Sequence, residues 1–133
     1  MAISDIPALN ALRTSMQWHQ QRQRVLAENV ANADTPNFKP TDLVRPTAQG
    51  LAAGAAAPMV TMARTNAAHI AVSGGGSTFD VNRKADFETR PSGNAVNLDD
   101  EMMKAASNQM DYQAVTSLYT RGLGLLKTAI GKR

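Results

Sequence analysis

The stretch that decides the fold reads LAENVANADTPNFKP and spans residues 26–40. Its first part has the apolar spacing of a helix, but Asn29 and Asn32 stand one turn apart just before the Asp-Thr-Pro sequence at 34–36. Because proline disfavours helical backbone in the residue before it, the helix must end by about residue 33 or 34. The two amides therefore lie in its last turns on one face. They either fix the register of a buried helix contact or terminate the helix in solvent, and the sequence leaves both interpretations open.

The residues before this stretch predict one amphipathic helix over residues 8–33, about 39 Å long. Pro7 suits its first turn, with Ser4 or Asp5 as a candidate N-cap. We interpret its apolar row as a surface for another helix, in which His19 packs or forms a hydrogen bond. The positions of this row follow a three-four spacing and hold Leu9, Leu12, Met16, His19, Gln23, Leu26, Val30 and Ala33.

The other end of the chain predicts a second long helix over residues 98–130. Asn97 is a good N-cap, and the acidic residues 99–101 lie in the first turn, where the helix dipole favours negative charge. Gly122 and Gly124 mark either a break in this helix or a close approach to another helix. Its row again follows a three-four spacing and holds Leu98, Met102, Ala105, Gln109, Tyr112, Thr116, Tyr119, Leu123, Leu126 and Ile130.

The middle of the chain, roughly residues 34–95, has a different composition. It contains five of the six prolines and six of the nine glycines. Its best extended segments are 60–62 and 79–81, so we expect loops, at most a weak hairpin, and substantial disorder in the isolated chain. The triple glycine at 74–76 lacks the GK[ST] sequence of a phosphate-binding loop and is interpreted as a linker.

These patterns predict a mainly α fold in three segments. Residues 1–35 and 97–133 are helical assembly segments that pair as a coiled-coil-like hairpin or bundle, and residues 36–96 form a poorly structured Gly/Ala/Pro-rich region. The side chains of these two rows that meet between helices form what we call the seam. Its members Leu12, Met16, Leu26, Leu123 and Leu126 are expected to carry the association energy. A charge introduced at Leu26 or Leu126 should then block assembly and leave the monomer intact.

The residue inventory argues against an enzyme. The chain has no cysteine, and its two histidines, His19 and His69, have no ligand partner three or four residues away. No serine or threonine stands in a recognisable nucleophile motif. We therefore expect no enzymatic activity, no cofactor and no metal site.

The net charge of +3 is concentrated near the C-terminus, where no acidic residue follows Asp111. The basic residues there suit the end of a helix, although a small basic nucleic-acid-binding protein is an alternative interpretation. The N-terminus lacks the basic cluster and apolar run of a secretory signal, and no stretch is long and apolar enough to cross a bilayer. We therefore expect neither a cleaved signal peptide nor direct membrane insertion.

The sequence ENVANADTPNFKPTDL at 28–43 resembles the N-terminal signature of the flagellar rod and hook axial protein family, a pattern similar to A-N-x-A-N-x-x-T-x-G-[YF]. Residues 93–130 are similar to the terminal helix of that family, including a Gly-Asn, an acidic helix start and a Tyr-Gln. Asn37 stands where the family usually has glycine, and asparagine tolerates left-handed backbone. The signature residues are Asn29, Ala31, Asn32, Thr35, Pro36 and Phe38.

The resemblance implies a structural subunit of the proximal rod in the bacterial flagellar basal body, a motility structure of the cell envelope. Members of the family pair their terminal helices in a helical tube and leave the cytoplasm through the flagellar type III export apparatus, without a cleaved signal. The implied partners are other rod subunits, a FliE-like adaptor, the membrane-ring base, the export apparatus and further copies of the same chain, but no nucleic acid. Independently of the resemblance, the three-four spacing predicts the seam residues Leu9, Leu12, Met16, Leu26, Val30, Met102, Tyr112, Tyr119, Leu123, Leu126 and Ile130.

Two other function classes stay open at this level. One is the nucleic-acid-binding protein, whose binding would depend steeply on salt. The other is a secreted helical interaction protein. Only the rod interpretation accounts for both the signature and the two helical seams.

Overall fold

A computed structural model describes residues 6–47, 79–82 and 89–131. Helix α1 spans Pro7–Ala31 and helix α2 spans Leu98–Ala129. The two helices pack against each other in opposite directions, since Leu9 lies beside Gly122 and Asn29 contacts Glu101. The predicted mainly α fold with paired terminal helices is confirmed.

Helix α1 begins without the polar cap that the sequence suggested. Its N-cap position is Ile6, whose side chain has no hydrogen-bonding atom, while Ser4 and Asp5 lie outside the described residues. Pro7 occupies the first turn as predicted, where its missing N–H needs no partner. The helix ends at residue 31, two residues earlier than predicted, because the chain turns at Asn32.

Helix α2 begins at the predicted cap and continues through both glycines. The side chain of Asn97 accepts a hydrogen bond from the backbone N–H of Asp99 at 3.2 Å. A Cβ added at Gly122 would lie 3.2 Å from Cδ2 of Leu9, whereas one added at Gly124 would meet nothing within 4 Å. Gly122 therefore marks a close approach of the helices, and neither glycine breaks α2.

Exchanging Gly124 for alanine is expected to raise the free energy of unfolding by about 1 kcal/mol, the preference for alanine over glycine inside a helix. Gly122→Ala gains the same propensity but should stabilise less, because the Leu9 side chain must give way. Urea unfolding followed by circular dichroism measures both changes. Equal stabilisation by the two variants would show that Leu9 does not pack closely on α2.

A short antiparallel ribbon forms a second layer on α1. Strand β1 (Asp42–Leu43) pairs with strand β2 (Val81–Asn82), with Leu43 opposite Val81. Trp18, Leu43 and Phe79 form a buried apolar cluster. The predicted extended segment at 79–81 thus overlaps β2 at one residue, β1 was not predicted, and the segment at 60–62 lies outside the described residues.

Candidate functional site

The centre of the site is Asn29, which joins three parts of the chain. Its side chain is only 1% exposed. Its amide nitrogen donates to Oε2 of Glu101 at 2.8 Å and to the carbonyl oxygen of Thr41 at 2.7 Å, and its Oδ1 accepts from the Thr41 N–H at 3.1 Å. Asn29 therefore fixes the end of α1 against both the following segment and the first turn of α2.

Glu101 is the partner that sequence reasoning missed. The sequence pattern predicts only that it is one of three acidic residues suited to a helix start, but it is 2% exposed and points toward α1. Its second oxygen, Oε1, accepts a hydrogen bond from Nζ of Lys104 at 2.7 Å. Both carboxylate oxygens thus have partners, as a buried carboxylate requires.

Asn32 has a different role from Asn29, although the sequence treats the two amides alike. It is half-buried, and its amide nitrogen donates to the carbonyl oxygen of Glu28 at 2.8 Å, while its Oδ1 accepts from the Thr35 hydroxyl at 3.1 Å. These contacts are local and close the helix end. Each of the two interpretations that the sequence left open therefore applies to one of the amides. Asn29 makes the buried helix contact, and Asn32 terminates the helix.

The turn after α1 is joined to the turn before α2. Asn94, 1% exposed, donates from its amide nitrogen to the carbonyl oxygens of Asn32 at 3.0 Å and Thr35 at 2.7 Å. The Asn37 N–H donates to the carbonyl oxygen of Ser92 at 3.2 Å. Asn94 thereby joins the turn that follows α1 to the segment that precedes α2, adding a second hydrogen bond to two carbonyl oxygens that already accept from backbone N–H groups within the turn.

Asn37 and Gly93 both have left-handed backbone in this junction. Asn37 has φ +60° and Gly93 has φ +77°. A side chain at position 93 would collide with Oδ1 of Asn37, so the junction requires glycine there. Asparagine is one of the few residues other than glycine that adopt left-handed backbone routinely, which fits its place at position 37.

A second polar cluster lies further along the helix pair. Nδ1 of His19 lies 2.8 Å from Oδ1 of Asn108, and both side chains are buried. The amide nitrogen of Asn108 donates to the His19 carbonyl oxygen at 3.0 Å and to Oε1 of Gln23 at 2.9 Å. The predicted packing or hydrogen-bonding role of His19 is confirmed, whereas Asn108 was missed.

An ion pair fixes the ribbon to α1. Nε and Nη2 of Arg22 donate to the two carboxylate oxygens of Asp42 at 2.8 and 2.7 Å. This hydrogen bonding raises the pKa of Arg22. Burial alone would raise the pKa of Asp42, but the hydrogen bonds and charge of Arg22 outweigh it and hold that pKa below its ordinary value. Nε1 of Trp18 adds a hydrogen bond to the Val44 carbonyl oxygen at 2.9 Å.

The helix pair covers most of the predicted seam residues. Leu9 and Leu26 are buried. Three predicted residues lie at the surface: Val30 is 36% exposed, Met102 59% and Ile130 72%. The half-buried members are Leu12, Met16, Tyr112, Tyr119, Leu123 and Leu126.

In the first turns of α2, the residues that face α1 come one position before the residues of the predicted row. Glu101 and Asn108 point inward, and Met102 and Gln109 lie at the surface. The inward residues are polar and find hydrogen-bond partners on α1, so the apolar pattern misses them. From Tyr112 to Leu126 the residues of the predicted row are half-buried, whereas Ile130 lies at the surface.

The signature residues other than the two amides lie in or near the turn. Ala31, Thr35 and Pro36 are exposed, and Phe38 is half-buried. The Phe38 carbonyl oxygen accepts a hydrogen bond from the Ala95 N–H at 3.0 Å. These residues shape the turn through their backbone more than through buried side chains.

Polar groups in the described parts of the chain are well satisfied. Across residues 6–47, 79–82 and 89–131, no buried side-chain nitrogen or oxygen lacks a hydrogen-bond partner. The same residues contain no group of three or more His, Cys, Asp or Glu side chains able to hold a metal ion. Neither helix in this part of the chain has the length and apolar character needed to cross a membrane.

Comparison with known proteins gives a consistent result. Residues 9–39 match the sequence profile described as "Flagella basal body rod protein". The chain is 36% identical to the flagellar basal body rod protein FlgB of Agrobacterium fabrum over 77% of this chain and 76% of that protein. It is 32% identical to FlgB of Yersinia enterocolitica over 80% of each chain. It is 28% identical to FlgB of Aeromonas hydrophila over the full length of both.

Proposed function

Because this chain belongs to the FlgB family of flagellar basal body rod proteins, we propose that it assembles into the rod through its two terminal helices. The helices pair first within the chain, and the surface that remains uncovered contacts neighbouring rod subunits. Residues 1–35 and 97–133 are the assembly segments in this proposal, and residues 36–96 connect them.

The family defines the broad role of the protein. It is a structural subunit of the flagellar basal body rod and not an enzyme, and it associates with other rod components. The nucleic-acid-binding and secreted-effector alternatives are therefore set aside. A FliE-like adaptor, the membrane-ring base and the type III export apparatus remain part of the proposal, as does export without a cleaved signal.

The observation that carries the proposal is a set of buried polar contacts between the two helices, which we call the polar lock. Asn29 with Glu101 and His19 with Asn108 are buried hydrogen-bonded pairs along one helix contact. Buried polar pairs add little net stability compared with apolar packing, but they define one register. A subunit that must repeat in a regular tube needs such a fixed register.

The proposed contact with neighbouring subunits uses seam residues that the pair leaves exposed. Val30 and Met102 directly follow Asn29 and Glu101, so they lie beside the polar lock at the surface. Ile130 is exposed at the opposite end of α2. Contiguous exposed apolar surface marks protein-binding sites, and in this proposal these side chains contribute to such a surface.

Val30→Asp and Met102→Asp are expected to block incorporation into basal bodies and abolish swimming in a deletion strain, because a charge would be buried at the subunit contact. Their thermal unfolding should stay close to wild type, since surface substitutions usually change stability by no more than about 0.5 kcal/mol. The measurements are swimming in soft agar and the content of purified basal bodies.

Gln17→Asp is the matched control, because Gln17 is exposed on α1 and lies outside the predicted seam. The control should swim normally. Normal basal bodies containing Val30→Asp and Met102→Asp would contradict the proposed contact and leave the family membership intact.

A further inference from the structure

Four large apolar side chains form a row along the exposed side of α2. Met103 is 72% exposed, Met110 65%, Leu118 52% and Leu125 68%. At 3.6 residues per turn they fall within an arc of about 80°. This set, which we call the outer row, faces away from α1 and is distinct from the edge that contains Met102.

The spacing of the outer row is the same when it is followed from either end. Its members are separated by seven, eight and seven residues, so the row is symmetric about Ala114. In a two-fold contact, residue i of one copy meets residue j of the other and j meets i. An antiparallel pair of α2 helices would therefore place Met103 opposite Leu125 and Met110 opposite Leu118. Ala114 would meet its own copy at the axis, where a small side chain allows close approach.

The charges on α2 favour the same orientation. Its first half carries exposed Asp99, Asp100 and Asp111, and its second half carries exposed Arg121 and Lys127. The only base in the first half, Lys104, is already engaged by Glu101. Arg121 lies within the arc of the outer row, so an antiparallel pair brings it close to Asp111 of the other copy, whereas a parallel pair places it beside Arg121 of the other copy. Lys127, two residues after Leu125, lies on the other side of the helix.

We propose that the outer row binds a second copy of this chain in an antiparallel, two-fold contact between α2 helices. Such a contact closes at two copies and cannot extend into a filament. It therefore describes the subunit in solution and goes beyond the proposed rod contacts, which use Val30, Met102 and Ile130.

The absence of cysteine from the sequence makes disulfide cross-linking a direct test. Single-cysteine variants Ala114→Cys, Met103→Cys and Leu125→Cys of the full chain are oxidised with copper phenanthroline and run on non-reducing gels. Disulfides require Cβ atoms about 3.5–4.5 Å apart. Ala114→Cys alone should form covalent dimers, as should an equimolar mixture of Met103→Cys with Leu125→Cys. Met103→Cys and Leu125→Cys, each oxidised alone, should give no covalent dimer on the gel.

Met110→Asp should raise the dissociation constant of the dimer at least tenfold, as measured by sedimentation equilibrium. It should leave the helical circular dichroism signal unchanged. Gln109→Asp is the control, because Gln109 is exposed on another side of α2, and it should dimerise like wild type. A monomer at all concentrations, or Met103→Cys cross-linking to itself as well as to Leu125→Cys, would overturn the proposal. Neither cross-linking nor sedimentation depends on swimming, so the dimer proposal and the rod proposal can fail separately.

Discussion

Replacing Asn29 with alanine is expected to lower the free energy of unfolding by about 2–4 kcal/mol. The side chain donates to both Glu101 and Thr41 and accepts from the Thr41 N–H, and all of these partners lie in or near the buried contact. Losing one partner of a buried polar group costs about 1–3 kcal/mol, and more when the group left behind is charged. The gain in helix propensity, below about 1 kcal/mol, does not offset this loss.

Asn32→Ala is the matched control for this prediction, because it removes the same amide three residues away. Its contacts with Glu28 and Thr35 are local and exposed, so the loss should stay within about 1 kcal/mol, the net contribution of a typical hydrogen bond. Urea unfolding followed by circular dichroism at 222 nm measures both variants. In a Glu101→Gln background the cost of Asn29→Ala should shrink, since the group left unpaired is no longer a carboxylate. Equal costs for the two asparagines would mean that Asn29 is not buried between the helices.

The long helices could be predicted because their local signals agree with one another. The N-cap Asn97, the acidic first turn and a sustained three-four spacing define α2 to within one residue of its observed end at Ala129. Pro7 and the Thr-Pro sequence at 35–36 bound α1 within two residues. Both helices are long enough that a single misplaced residue does not change the pattern.

The polar lock could not be predicted from apolar periodicity. Apolar periodicity assigns the inward face of a helix to apolar residues. It therefore predicts that Met102 contacts α1 and that Glu101 only stabilises the start of α2. The inward position of Glu101 depends on Asn29, which lies 72 residues earlier in the chain. One available signal was the seven-residue spacing of Glu101 and Asn108, which places two polar residues on the same face of α2.

Strand β1 and its pairing with β2 were missed for a related reason. Strands β1 and β2 are two residues each, too short for an alternating pattern to be recognised. Their positions depend on contacts with α1, through Trp18 and the Arg22–Asp42 pair. Pairing of this kind is set by tertiary contacts, which local sequence does not encode.

Leu26→Asp is expected to abolish the helix pair altogether. Leu26 is 0% exposed within its own chain, so the substitution buries a charge with no partner, which is far more costly than an exposed substitution. The apolar pattern alone suggested that this variant would stay folded and fail only in assembly. That expectation changes because the partner surface for Leu26 is already supplied by the same polypeptide.

Leu26→Ala and Leu125→Ala provide the quantitative comparison, since the same side chain is truncated at a buried and an exposed position of the two helices. The first should lose about 2–5 kcal/mol of unfolding free energy through the cavity it leaves, and the second should change it by no more than about 0.5 kcal/mol. Leu125 is 68% exposed in the single chain, so the measurement is made in dilute solution. If both variants unfold at the same urea concentration, the helices do not pair within one chain, and Leu26 gains its cover only from neighbouring subunits.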